Sequence, residues 1–389
     1  MSGRTSRRRI AYVYNHSYFL GGGEISLYEL VRYLDKQQYE PIVIVPGDGP
    51  IADQVTADGI KVYKTHFPPI KQVGRGGSLS ELLKLTKLVR KIDADIIHVN
   101  GSRVCFYAGI AGRILNVPII WHVRETVQDF FLYDGFLGRL AKGIVCVSKG
   151  VQVKRFGRFG KWIQDKIFVV YNGIDTNKFT KRETEREKIR TELDLAENEI
   201  LFGVVGNIIP LKGQDFFLQG VARAKKYKPD LPVKTLIIGR VLDANYNEKL
   251  LQFVIRKGLE DIVIFQNYSE KLTEIYSALD VFVLLSQREG FSRSLLEAMS
   301  SDLPILATRI GEIEEAVVDG ENGFLVDYSD VDKLAYAIIE LSENKNMRRE
   351  MGQYNRRRAT ADFDLKSHVE STQKIYDEIL TQSVWESAL

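Results

Sequence analysis

Cysteine is nearly absent, with two in 389 residues, Cys105 and Cys146. Both sit in or beside apolar segments without the paired spacing of a metal site. Disulfides, zinc and thiol redox chemistry are therefore set aside in favour of reduced core thiols. Long apolar runs are absent too: nothing approaches the roughly 18 consecutive apolar residues that a membrane-spanning helix needs. The basic start, residues 1–9, leads straight into a strand pattern rather than a signal-peptide core. These absences predict a cytoplasmic protein. No repeat of fixed period and no low-complexity tract appears. A hydrophobic content of 44% argues against disorder, and the length exceeds one compact core, so two globular domains are expected.

Net charge is small, +3, but uneven: residues 1–180 hold 26 Lys and Arg against 15 Asp and Glu, while residues 181–389 hold 28 against 36. A basic first half points to an anionic partner, whether a membrane surface, a phosphorylated acceptor or nucleic acid. No nucleic-acid motif with interleaved base-stacking aromatics accompanies it, so nucleic acid is not expected. Residues 149–166 carry Lys149, Lys154, Arg155, Arg158, Lys161 and Lys166 against Asp165, with Phe156, Phe159 and Trp162 interleaved at near-helical spacing. Two readings stand: a helix lying on a membrane surface, or a core-packed helix with a solvated basic face, weakened by Gly157 and Gly160.

Short β-rich apolar runs recur at 10–14, 41–45, 96–99, 119–123, 144–147 and 168–171, then at 201–205, 235–238, 262–265, 281–285 and 305–307, with helical periodicity between them. This alternation predicts two α/β domains on parallel sheets, joined near residue 180, where apolar periodicity gives way to Lys, Arg, Glu and Thr. In such doubly wound sheets ligands bind beyond the carboxyl ends of the strands. The run 281–285 leads there into Glu289-Gly290-Phe291-Ser292-Arg293-Ser294-Leu295-Leu296-Glu297, a loop turning into a helix, with two carboxylates eight residues apart. Gly290 permits close backbone approach, Ser292 or Ser294 can cap the helix, and the free N–H groups at its start suit a diphosphate. The competing reading makes Ser294 and Glu297 an S-x-x-E capping box and Glu289 a solvated loop residue.

Gly21-Gly22-Gly23-Glu24 stands between the first strand and an amphipathic helix, either a phosphate cradle or a flexible turn. In the second half, Asn207 and Lys212 follow the strand at 201–205, and Lys212, just before a helix, suits phosphate charge. His122, at the end of the run 119–123, reads either as a histidine pointing into a cleft or as a satisfied core histidine, the latter reading applying more strongly to His98, inside its strand. Two D-x-D pairs, Asp93 with Asp95 and Asp330 with Asp332, lie before a strand and at a helix start rather than over a strand's carboxyl end. No catalytic metal and no cofactor is expected.

Taken together these segments resemble a retaining family-4 glycosyltransferase of the GT-B fold, over nearly the whole chain. The specific part is the E-x7-E pattern of Glu289 and Glu297, continued by Pro304-Ile305-Leu306-Ala307-Thr308 and by Gly320-Glu321-Asn322-Gly323. The resemblance implies two Rossmann-like doubly wound domains facing a central cleft: 1–180 for the acceptor, 181–365 for the nucleotide sugar, and a helix over 366–389 crossing back. It also implies that Glu297 binds the ribose hydroxyls, Glu289 contacts the donor sugar, Phe291 and Ser292 offer backbone amides, Lys212 binds the diphosphate and His122 lies beside the transferred sugar. Gly22, Gly23, Gly290 and Leu296 complete the expected donor site. One position departs: the family often has Arg where this chain has Asn207, which lacks a charged fork for phosphate, so leaving-group stabilisation is expected either to lean on Lys212 and helix dipoles or to borrow Arg240 or Arg293. The implied reaction moves a sugar from a nucleoside diphosphate sugar, UDP being the commonest, to an anionic or lipid-linked saccharide acceptor, with retention. A nucleotide-sugar epimerase and a non-catalytic nucleotide-sugar scaffold are the alternatives.

Overall fold

The computed structural model describes residues 7–68, 77–126 and 131–387, so most of the basic start lies outside the described residues. The chain forms two compact units. One comprises Met1–Gly173 with Leu365–Leu389, and the other Ile174–Asp364.

The first unit holds strands β1 Arg8–Val13, β2 Tyr39–Val45, β3 Lys61–Lys64, β4 Ile96–Asn100, β5 Ile119–Val123, β6 Gly143–Cys146 and β7 Ile167–Val169, in the order β3-β2-β1-β4-β5-β6-β7. Every pairing is parallel. Central strands covered on both faces need continuous apolar sequence, which Ile10-Ala11-Tyr12-Val13 and Ile119-Ile120-Trp121 supply, all of them buried. The last helix, Leu365–Ser387, belongs to this unit: its Val369, Ile375, Tyr376 and Ile379 join Ile10, Tyr12, Ile96 and Val145 in one core.

In the second unit, β8 Ile200–Val205, β9 Val233–Ile238, β10 Val263–Gln266, β11 Val281–Leu284, β12 Ile305–Thr308 and β13 Gly323–Val326 make a parallel sheet in the order β10-β9-β8-β11-β12-β13. Its core runs through Phe202, Phe217, Ile237, Val283, Leu306 and Leu334. The strand order reverses between β1 and β4 in one sheet and between β8 and β11 in the other. Such switch points open a crevice at the carboxyl ends of the strands. The glycine loop follows β1, Lys212 follows β8, and Glu289 follows β11.

Two glycines keep the second crevice tight. Gly213, at φ +67°, starts helix Gln214–Tyr227, and a Cβ there would sit 2.2 Å from the Leu285 carbonyl oxygen; a Cβ on Gly239 would sit 1.8 Å from that of Gly206. Neither approach admits a side chain.

The segment 149–166 is not the single amphipathic helix that its spacing suggests. It breaks into a turn at Lys149–Val151 capped by Ser148, a π-helical turn Gln152–Phe156, and a short helix Lys161–Gln164. Phe156 and Phe159 are buried, so they cannot insert into a headgroup layer, and Arg155 is a core residue bonded to Asp134 at 2.7 Å and to Ser102 at 2.8 Å. Only Val153 and Trp162 stay exposed among its large apolar residues. The core-packed reading holds. No described helix is long and apolar enough to cross a membrane.

Candidate active site

In the second unit, the β8 and β11 loops are stitched together by backbone. The Gln287 N–H donates to the Leu211 carbonyl at 3.0 Å, and the Gln287 amide donates to the Tyr328 hydroxyl at 2.9 Å. From below, the Thr308 hydroxyl donates to the Ser286 carbonyl at 2.5 Å. These ties bring Lys212, in the turn Pro210–Lys212, to Glu289, with Nζ donating to Oε1 at 2.5 Å. Both side chains are partly shielded, and the bond is charge-assisted. Glu289 is therefore not a solvated loop residue.

The capping-box reading also fails. Helix Arg293–Ser300 is capped by Ser292, whose Oγ accepts from the Leu295 N–H, while Ser294 bonds only sideways to Ser292 Oγ at 3.0 Å. Glu297, buried, turns inward to accept from the Tyr276 hydroxyl at 3.0 Å and from Arg293 at 3.4 Å. Burial first, and then the Glu297 charge, push the Tyr276 hydroxyl well above its usual range, so it stays a donor.

Of the other expected donor residues, Gly290 and Phe291 enter this helix, with the Phe291 ring packed on Phe363. Leu296 has a side chain with no exposed surface, packed in the core, so only its backbone is available to a ligand. Arg293 is likewise buried against Glu297 rather than presented to a phosphate. Asn207 contributes its carbonyl to the Gln214 amide at 3.0 Å, holding the turn after β8. Arg240 lies exposed at the end of β9, its guanidinium 4.6 Å from the Tyr268 ring centre, and its carbonyl accepts from the Ile208 N–H, so it borders the same turn.

The first unit builds a second polar cluster. Gly22 and Gly23 open helix Gly22–Tyr33, and the Gly21 N–H donates to Glu24 at 3.2 Å. A Cβ on Gly23 would stand 3.0 Å from Arg124 Cδ, so the glycine lets the arginine lie across the turn. Arg124 is the hub: it donates to Asn100 at 2.7 Å and to Asn172 at 2.7 Å, and its Nη2 lies 3.5 Å from His122 Nδ1. Sequence reasoning passed over Arg124 and Asn100, although both stand at strand ends beside residues it had singled out.

His122 is fully buried at the end of β5, its Nδ1 3.1 Å from His98 Nε2, and its Nε2 has no hydrogen-bond partner among the described residues. Burial first, then Arg124, hold His122 well below the usual histidine range, and the same causes bring His98 to about 3. His98 is the core histidine expected from sequence, fully buried, and it is also bonded to His122. Both rings are neutral in the folded protein at neutral pH, whereas in the unfolded chain they take up protons below about pH 6.5. Their folded pKa values being depressed, the stability that they contribute is complete above that pH and falls as the pH drops towards the folded value. At about pH 5 the loss is about 2 kcal/mol for His98 alone. Urea unfolding between pH 7.5 and 5 checks this: His98→Gln is expected to flatten the acid slope, and an unchanged slope counts against a neutral buried His98.

The D-x-D carboxylates have structural work. Asp95 accepts from the Arg9 N–H at 2.8 Å, Asp330 caps helix Val331–Glu343, and Asp332 pairs with Arg223. Among the described residues no group of three His, Cys, Asp or Glu is placed to hold a metal.

Residues 20–178 match the model of "Glycosyltransferase Family 4", and residues 185–358 that of "Glycosyl transferases group 1". The chain belongs to the family-4 glycosyltransferases. This glycosyltransferase is similar to the Escherichia coli UDP-Gal:alpha-D-GlcNAc-diphosphoundecaprenol alpha-1,3-galactosyltransferase, 24% identical over 98% of this chain and 99% of that one. It is also similar to the Bacillus anthracis N-acetyl-alpha-D-glucosaminyl L-malate synthase, 28% identical over 84% of each. Among solved structures, Anabaena HepE in complex with UDP matches with a TM-score of 0.83 at 22% identity, covering 95% of this chain and 100% of that one, a likeness of fold. That fold is GT-B, its two units being the two parallel-sheet domains described above.

Proposed function

We propose that this glycosyltransferase moves a sugar from a UDP-sugar to a hydroxyl of a lipid-linked saccharide with retention at the anomeric carbon, the second unit holding the donor and the first the acceptor. The observation that carries the donor half is the Lys212–Glu289 pair at the β8–β11 switch point, beside the capped helix that carries Glu297. A lysine ammonium has three N–H donors, and Glu289 uses one, so two remain for a diphosphate. As the bond from sugar to phosphate breaks, negative charge grows on the leaving diphosphate, where Lys212 and the amides near Phe291 stabilise it. Glu289 takes sugar hydroxyls and Glu297 the ribose. Retention then needs no carboxylate pair flanking the bond, because the leaving phosphate accepts the proton of the acceptor hydroxyl. Asn207 shapes the turn rather than binding charge, and Arg240 is the exposed cation that supplements Lys212. Support for UDP and for a lipid-linked acceptor comes from the E. coli relative's name.

The test is a thermal-shift screen of nucleotide sugars followed by product analysis with and without a diphospholipid-linked saccharide. A nucleotide sugar at 100 times its Kd stabilises by roughly 2.7 kcal/mol. The reading fails if no nucleotide sugar stabilises the protein, and an epimerised donor formed without acceptor would favour the epimerase. Full turnover in EDTA is expected, since the phosphate charge is met by Lys212 and backbone N–H groups; loss on chelation with rescue by Mg²⁺ would show otherwise.

The same reading places the first unit on the cytoplasmic face of an anionic membrane, through a different surface from the 149–166 run as a whole. Helix Phe131–Leu140 exposes Leu132 (83%), Phe131 and Phe136, and Trp162 (44% exposed) adjoins it: Phe131 stacks on Phe159 at 4.3 Å, and Arg139 covers Trp162 at 5.1 Å. Exposed aromatics rimmed by cations in a basic half suit an anionic headgroup layer, each cation contributing about 1 kcal/mol. Co-sedimentation with anionic vesicles at low salt is expected, and Leu132→Glu is expected to release the protein. Equal binding to neutral vesicles, or none to either kind, would leave a soluble acceptor.

A further inference from the structure

Three backbone carbonyls of the second unit converge on one nitrogen. Arg356, on helix Lys345–Asp362, donates from Nη1 to the carbonyls of Thr176 at 2.7 Å, Phe179 at 2.9 Å and Ser300 at 2.7 Å, and to the Ser300 hydroxyl at 2.8 Å. Its two hydrogens are shared among these oxygens, and a guanidinium, which only donates, suits such a cluster. Two separate stretches of chain are joined there. Thr176 and Phe179 lie in the segment by which the chain enters the second unit, and Ser300 ends helix Arg293–Ser300, which carries Glu297. A cation at the carboxyl end of a helix also meets its orphan carbonyls and its dipole.

Other bonds hold the same segment. The Ser300 hydroxyl donates to the Phe179 carbonyl at 2.6 Å, the Thr176 hydroxyl donates to Asp364 at 2.6 Å, and the Ile174 N–H donates to the Phe363 carbonyl at 3.0 Å. With its backbone fixed, the buried Phe179 ring meets Tyr276 edge-on at 5.9 Å between ring centres, and Phe282 of β11 lies 6.0 Å from the same tyrosine. Tyr276 is fully buried, and a ring packed on such neighbours has its hydroxyl direction set by them. That hydroxyl donates to Glu297 at 3.0 Å. Contacts therefore run unbroken from Arg356 through Phe179 and Tyr276 to the Glu297 carboxylate.

We propose that Arg356 is a positioning residue of the donor site. It locks the segment 174–179 to helix Arg293–Ser300, so that Phe179 backs Tyr276 and the Tyr276 hydroxyl holds the Glu297 carboxylate in one orientation. Arg356 acts only through these neighbours, all of which belong to the second unit. The loss of nucleotide affinity on breaking the lock rests on the reading of Glu297 as the ribose ligand; the placement of Tyr276 does not.

Two measurements on the full-length protein test it. Arg356→Met keeps an aliphatic stem and loses the donors, while the ammonium of Arg356→Lys keeps the charge and offers three donors to the three carbonyls. UDP is the probe, titrated by calorimetry at a temperature where every variant is folded. Arg356→Met is expected to bind UDP about 10-fold more weakly, the lower end of what a charge-assisted hydrogen bond contributes, and Arg356→Lys to recover most of the loss. Leu250→Ala, a core truncation in helix Ala244–Lys257, controls for stability alone: it is expected to melt lower with its UDP affinity unchanged. Unchanged affinity in Arg356→Met, or an equal loss in Leu250→Ala, would overturn the proposal and leave Arg356 a structural residue only. Tyr276 is read directly from the ¹³Cζ spectrum of tyrosine-labelled protein, assigned with Tyr276→Phe. Its signal is expected to move in Arg356→Met and to return in Arg356→Lys, and an unmoved signal overturns the proposal. If Glu297→Gln with Arg293→Met binds UDP as the wild type does, the ribose reading falls, and the tyrosine signal still decides the lock. If Arg356→Met does not fold, Ser300→Ala, which removes the hydroxyl bond to Phe179, is expected to shift the tyrosine signal and the affinity in the same directions, and no shift in either overturns the proposal.

Discussion

Lys212→Ala is expected to lower kcat by about 10²-fold or more while leaving the fold intact, as does removal of a single preorganised donor from a developing anion. The lysine sits in a three-residue turn on the surface of the second unit, its side chain partly exposed, so no core packing is lost with it. Its ion pair with Glu289 is lost, but a partly exposed pair contributes only about 1 kcal/mol to stability. Stability and activity thus part company, and that separation is the diagnostic. Lys212→Arg is a useful companion, because its wide planar fork does not match a point-charge site beside Glu289, and it is expected to recover only part of the rate. Burst and single-turnover kinetics with a UDP-sugar read the chemical step. Near-normal kcat in Lys212→Ala would shift leaving-group stabilisation to Arg240, which borders the same turn through its carbonyl.

What could be read without coordinates was the information held within a few residues of itself. Apolar runs such as Val281-Phe282-Val283-Leu284 announced buried parallel strands because strands covered on both faces have no polar side to show. The loop ending in Glu297 was legible because glycine, serine and two carboxylates sit on one short segment. The edge strands β3 and β13 were not foreseen: β3 is Lys-Val-Tyr-Lys, half exposed with no apolar run, and β13 is four residues behind a turn. Leu296 carried its own warning, since it follows Leu295 on a helix whose buried face both fill.

Pairings across the sequence stayed hidden. Lys212 and Glu289 are 77 residues apart, a distance that the strand order closes, and His98 and Tyr376 are 278 apart, a distance closed by the last helix packing on the first sheet. The aromatic residues of 149–166 were ambiguous for a related reason: an apolar stripe has the same period whether it meets a lipid or the helix Phe131–Leu140, and Phe131 stacked on Phe159 shows which.

Glu297 is where stability and binding are hardest to tell apart, and a paired substitution separates them. The carboxylate is 7% exposed and shares its two oxygens between the Tyr276 hydroxyl and Arg293. Glu297→Ala removes the buried carboxylate that Arg293 and the Tyr276 hydroxyl both donate to, and truncating one partner of a buried pair is expected to cost about 3–5 kcal/mol of stability. Weaker nucleotide binding in that variant alone would prove little. Replacing both partners, Glu297→Gln with Arg293→Met, removes the buried charges together, which is often neutral for stability, and the glutamine oxygen still accepts from Tyr276. The double variant is therefore expected to melt near wild type. Its affinity for UDP is expected to fall by about 1.5–3 kcal/mol, or about 10- to 150-fold, because an amide accepts ribose hydroxyls more weakly than a carboxylate does. Calorimetry at a temperature where both proteins are folded reads the difference. Wild-type affinity in the stable double variant would make Glu297 a structural partner of Tyr276 and Arg293, with the ribose held elsewhere; restored stability with lost affinity places the nucleotide on that carboxylate.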